Sequence, residues 1–151
     1  MAGHSANDEP LRHKWAPSEW GPDDKAGAAN RRTPASVLKA AKLVKKGKVA
    51  TLGKVYQQDA PGFGISACEY LAKRKVALVG ADVWAVEAVP GESEQPFECH
   101  IKMQTKRGIW FLENMDLSQL VADKAYEFLF AWSPLKMKGA TGSPGNPVAV
   151  Y

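Results

Sequence analysis

The chain reads as an α/β protein bordering on α+β, a mixed β-sheet with a few packed helices, and three observations predict that class. Val76-Ala77-Leu78-Val79-Gly80-Ala81 is a continuous apolar run, the mark of a strand covered on both faces and placed centrally in a sheet. Thr33-Pro34 opens a stretch whose apolar residues recur at helical spacing. Val148-Ala149-Val150-Tyr151, after a turn-rich loop, closes the chain as a further strand.

Taken in order, residues 1–14 are polar and Pro-containing and predict a flexible N-terminal arm, with one domain over 15–151. Trp15 to Asp24 mixes large aromatics with turn residues, so an ordered loop packed on something is expected. Thr33 as N-cap and Pro34 at the first helical position start a helix that Gly47 stops; Val37, Leu38, Ala41 and Val44 form its apolar, buried face. Residues 48–56 follow as a strand, and Gln57 to Gly64 as a break rich in turn formers. Gly62-Phe63-Gly64 lacks the later Gly and the Lys-Ser or Lys-Thr of a phosphate loop, so it is a turn. Ile65–Lys73 has helical spacing, with Ile65, Cys68, Leu71 and Ala72 on the apolar side. The last third is helix-like near His100, then strand at 109–112, an acidic turn near Asp116, strand at 126–132, and a half-exposed strand at 135–138.

Composition bounds the function. The 151 residues are 45% hydrophobic and 24% charged, which suits one globular domain. No segment approaches the roughly 20 apolar residues that span a bilayer, and the first ten residues lack a signal peptide's apolar core, so the expectation is a cytoplasmic protein without a membrane partner. Cys68 and Cys99 lack metal-type spacing and read as reduced thiols. The net charge of +4 is local: residues 1–60 carry 11 Lys and Arg against 6 Asp and Glu, whereas 61–151 carry 9 against 10. Lys39, Lys42, Lys45, Lys46 and Lys48 dominate the excess. They read as a solvated helical face without interleaved aromatics, so nucleic acid is the lesser alternative.

The residues with chemistry are His100, in Pro96-Phe97-Glu98-Cys99-His100, and Glu113, at the end of the apolar Ile109-Trp110-Phe111-Leu112. They can converge on one cation or simply form a hydrogen-bonded pair, and their spacing is not diagnostic. Asp82 and Trp84 are either pocket-lining or a strand-end carboxylate and a packed ring.

Several blocks in order carry a resemblance. Trp20-Gly21-Pro22-Asp23-Asp24, Asn30, Thr33-Pro34, Leu43-Val44, Gly47 and Thr51-Leu52-Gly53 resemble the opening of the cyclase family of metal-dependent hydrolases, which includes kynurenine formamidases and isatin hydrolases. The run Val76 to Trp84, His100, Gly108-Ile109, Leu112-Glu113-Asn114-Met115-Asp116-Leu117, Pro134-Leu135-Lys136 and Gly139 to Pro144 are similar to its C-terminal part. The resemblance implies an incomplete cyclase/formamidase-like fold and a homo-oligomer. It also implies a divalent metal, zinc or manganese, that activates water against a small-molecule amide or ester, as in tryptophan catabolism. It places His100 and Glu113 at two ligand and catalytic positions. The family's central His-x-Gly-Thr-His-x-Asp motif is absent here, with an apparent internal deletion near 61–65. Impaired catalysis is therefore expected, the alternatives being a non-catalytic, oligomerising scaffold or a module that binds nucleic acid through its basic helix.

Overall fold

The computed structural model describes residues 19–53, 62–92 and 94–151. The arm expected over 1–14, the Trp15 end of the loop and most of the break at 57–64 lie outside the described residues. The elements are α1 (Pro34–Ala41), β1 (Val49–Thr51), α2 (Ile65–Lys73), β2 (Leu78–Gly80), a π-helical segment (His100–Thr105), β3 (Trp110–Leu112), α3 (Ser118–Ala122), β4 (Leu129–Ala131) and β5 (Val148–Val150). A 3-10 turn, Gly27–Arg31, precedes them.

Local chemistry sets the helix starts. Thr33 Oγ1 accepts from the Ser36 amide at 3.1 Å while Ser36 Oγ accepts from the Thr33 amide at 2.9 Å, a reciprocal cap with Pro34 behind it. At α2, the Glu92 carboxylate accepts from the Ile65 amide at 2.7 Å and supplies the anion that an N-terminus favours.

Two small sheets result. β5 lies between β1 and β4 and is antiparallel to both, with Ala149 opposite Ala50 and Phe130. β2 and β3 form a parallel pair, Val79 opposite Phe111. The alternation of a strand divides β2 between two cores. Val79 joins Ala28, Cys68, Val86, Met103 and Ile109, whereas Leu78 packs on Leu52, Leu112, Met115, Leu120 and Ala149. The run at 76–81 is thus covered on both sides as expected, but in a two-stranded sheet rather than at the centre of a larger one.

Four further expectations need correction. The apolar face of α1 is not buried: Val37 and Leu38 are 53% and 65% exposed, because the helix packs against β4, a three-residue strand too short to cover it. Residues 135–138 form no strand: among the described residues no strand pairs with them, the Leu135 amide donates instead to Ser143 Oγ, and Leu135 and Met137 stay exposed. The acidic turn continues into α3, which Asp116 starts by accepting from the Ser118 amide at 3.0 Å. Finally, Cys68 and Cys99 are disulfide-bonded, not free: α2 packs on the π-helical segment and brings their Cα atoms to 5.9 Å.

Tyr151 hydroxyl donates to Asp123 at 2.6 Å, and Lys48 pairs with the same carboxylate at 3.0 Å, tying the chain's last residue to α3 and β1. Among the described residues no helix is long and apolar enough to cross a membrane.

Candidate functional site

The site begins with an irregular segment. After β2 the chain runs through buried Val83, Ala85 and Val86 to Glu87, and a parallel bridge to Phe63 fixes it there, the Phe63 amide donating to Val86 carbonyl at 2.7 Å. Glu87 is a carboxylate with a side chain only 5% exposed. A buried carboxylate needs donors, and His100 provides two. Its backbone amide and its ring Nδ1 each lie 2.8 Å from Glu87 Oε2. Glu87 therefore satisfies an amide in the first turn of the His100 helix and fixes the imidazole ring with the same oxygen.

The other ring nitrogen faces Glu113, the residue after β3, with His100 Nε2 3.4 Å from Glu113 Oε1. The Val86 amide donates to that same oxygen at 3.3 Å. Phe97 and Phe111 meet the imidazole edge-on, with centroids at 5.3 and 4.9 Å. The result is a row, Glu87–His100–Glu113, clamped between two aromatic rings. Partial burial alone lowers the imidazole pKa, but the hydrogen bonds and charges of Glu113 and Glu87 outweigh it, and His100 titrates above its ordinary value.

His100 and Glu113 open on a groove of about 1510 Å³. Trp20, Trp110, Phe111 and Trp132 supply much of its apolar wall, and Arg107 and Gln104 are among its polar residues. Beneath it Gly27 and Gly108, both at positive φ, touch backbone to backbone: a Cβ on Gly27 would stand 2.7 Å from the Gly108 oxygen. Asp24, in the Trp20 to Asp24 block, builds the rim. Its carboxylate accepts from the Gly27 amide at 2.8 Å and from the Asn30 side chain at 2.6 Å. Asp82 is exposed and Trp84 half-buried, and the structure places neither in the lining of this groove.

Sequence reasoning brought His100 and Glu113 together but missed Glu87. The signal was present as a single carboxylate inside the apolar stretch Val83-Trp84-Ala85-Val86-Glu87-Ala88-Val89.

Two donors each about 2.1 Å from a tetrahedral zinc stand about 3.4 Å apart, which matches the Nε2 to Oε1 separation. Glu87 on Nδ1 is the outer partner such a histidine usually has. Yet Glu87 faces the opposite ring nitrogen, and among the described residues no three His, Cys, Asp or Glu side chains form a group able to hold a metal. Among the described residues the donor pair fits, and the donor count falls short of the three protein ligands that a water-activating centre takes.

No family model matches the chain, and no curated protein matches it. Among solved structures, it is similar to a crystal structure described as a novel cyclase, with 17% identity and a TM-score of 0.75 over 89% of this chain and 98% of that one. The two therefore share a fold.

Proposed function

We propose that this chain is a catalytically impaired relative of the metal-dependent cyclase and arylformamidase-like hydrolases. It retains the fold and two ligand positions, without the means to activate water alone. The Glu87–His100–Glu113 row carries this reading. One imidazole nitrogen is occupied by a buried carboxylate, and the other is paired with Glu113 at the separation of two metal donors. What the row can do unaided is hold and exchange a proton at Nε2 against a groove wall, because Glu87 fixes the ring and Glu113 accepts. Hydrolysis of an unactivated amide asks for more, since the oxyanion and the attacking water both need stabilising.

The experiment is a turnover assay on an aryl formamide and an aryl ester with zinc or manganese added. The expected result is no turnover above about 1 per second, the lower edge of the usual enzymatic range. A faster, metal-dependent rate that His100→Asn removes while the variant stays folded would overturn the proposal and return the chain to the enzymes.

A further inference from the structure

From Lys25 to Gln58 the sequence contains no acidic residue, and its cations gather around one element. Arg31 is paired with Glu19 and Lys48 with Asp123. Lys39, Lys42, Lys45 and Lys46 are exposed and make no ion pair with a described residue. Beside them α1 presents Val37 and Leu38 to solvent, and none of its residues is buried. Leu38 stands one turn from Lys42, whose amide donates to the Leu38 carbonyl at 3.3 Å, and the chain keeps turning as Leu43 and Val44 donate to Ala40 and Ala41. Two aliphatic side chains are thus fringed by cations on a helix none of whose residues is buried among the described residues.

We infer that α1 and its lysine-rich exit form a docking surface for an anionic lipid bilayer. Each half of the patch matches one layer of such a surface. The unpaired ammonium groups match anionic headgroups, and Val37 with Leu38 match the boundary between headgroup and acyl chain, where exposed apolar side chains lose contact with water. The patch suits other occupants less well. A symmetric contact between two copies would set Lys39, Lys42 and Lys46 of one against the same cations of the other. A nucleic acid would meet no aromatic side chain on this element and would leave the aliphatic pair without a partner.

The test is co-sedimentation of the full chain with vesicles of phosphatidylcholine alone or with about 30% phosphatidylserine, at low salt and about 500 mM salt. Binding is expected only to the anionic vesicles and only at low salt. Lys42→Glu/Lys46→Glu should weaken it at least about tenfold, because each lysine near such a surface contributes about fivefold, and Val37→Ser/Leu38→Ser should weaken it by removing the apolar area buried on binding. Both variants change exposed side chains, and circular dichroism verifies that they fold. The inference is overturned by equal partition into neutral and anionic vesicles, no vesicle binding at all, undiminished binding by Val37→Ser/Leu38→Ser, or tighter binding to a duplex DNA measured by anisotropy. A homodimer in light scattering that Val37→Ser/Leu38→Ser splits would assign the face to a second copy and overturn it equally.

Discussion

Replacing Glu87 by Gln isolates the charge of the buried carboxylate while keeping its shape. In the wild type, one oxygen of Glu87 receives both the His100 amide and ring Nδ1 at 2.8 Å. A hydrogen bond to a charged partner contributes about 1.5–3 kcal/mol and a neutral one about 0.5–1.5, so exchanging the carboxylate for an amide should cost about 1–2 kcal/mol while His100 is protonated. The pH window follows from the raised pKa of His100. Its charged interactions contribute fully below the unfolded value near 6.5 and fade as pH rises through the higher folded value. The loss on Glu87→Gln should therefore be larger at acid pH than in alkali. In a protein of this length it amounts to about 2–8 °C in melting temperature below about pH 6. Melts at two pH values read the stability, and NMR titration of His100, identified by comparison with His100→Ala, reads the pKa. A His100 pKa at or below 6.5 in the wild type, or one that Glu87→Gln leaves unmoved, would refute the reasoning.

Three further predictions address the metal, the disulfide and the chain terminus. Calorimetry should find zinc bound more weakly than about 1 μM, with the remaining heat lost in His100→Ala, because two donors leave most of the coordination shell to water; stoichiometric sub-micromolar binding contradicts this. Thiol titration of the denatured, unreduced chain should find no free thiol, and since Cys68 and Cys99 are 31 residues apart, Cys68→Ser/Cys99→Ser should cost about 3–4 kcal/mol by loop closure. One free thiol per cysteine and an unchanged melt would contradict the pairing. Hydrogen bonds from Tyr151, Lys48 and Gln119 hold Asp123 down at about 2, so its contribution is present above the unfolded value and lost as pH falls from about 4 towards 2. An Asp123→Asn variant should melt lower at neutral pH and lack that acid limb in tryptophan fluorescence, and an unaltered acid profile would dismiss the tether.

How far the sequence discloses this structure depends on the range of the interactions involved. The helix Ile65–Lys73 was readable to its ends, because Gly64 before it and apolar residues at helical spacing are local signals. The reciprocal cap at Thr33 was half readable, from the Thr-Pro pair alone. Burial was not. The spacing of Val37, Leu38 and Ala41 marks a face that wants cover, and nothing in those residues says whether the rest of the chain provides it. The disulfide escaped for a similar reason, since pairing requires α2 to pack on the His100 segment, a contact between distant elements. At the site, His100 and Glu113 stand out as residue types able to share a cation, and the resemblance places them at ligand positions. Glu87 was not, because it lies in a segment without periodicity, where only the oddity of one carboxylate among apolar neighbours marks it.

The presence of the three site residues does not by itself argue for catalysis, because each has a structural use. Glu87 satisfies an amide of the His100 helix, and Glu113 accepts from the Val86 amide beside the first core. His100 is the donor without which Glu87 would be a buried carboxylate with one backbone partner. Truncating any one of them should therefore disturb the fold whether or not the chain ever binds a metal, and lost activity in such a variant proves nothing about mechanism. The discriminating position is Nε2 of His100, the polar atom of the row that faces Glu113 across the groove wall. A structural row needs only Nδ1, whereas a row kept for a cation also needs a free lone pair on Nε2. Asn in place of His100 can still offer a donor towards Glu87 but no imidazole nitrogen towards Glu113, so it separates the two uses. If the row is structural, His100→Asn should retain most of the stability that His100→Ala loses, and zinc should protect neither variant nor the wild type against melting. Thermal protection of the wild type by zinc, absent in His100→Asn, would identify Nε2 as a ligand position still in use.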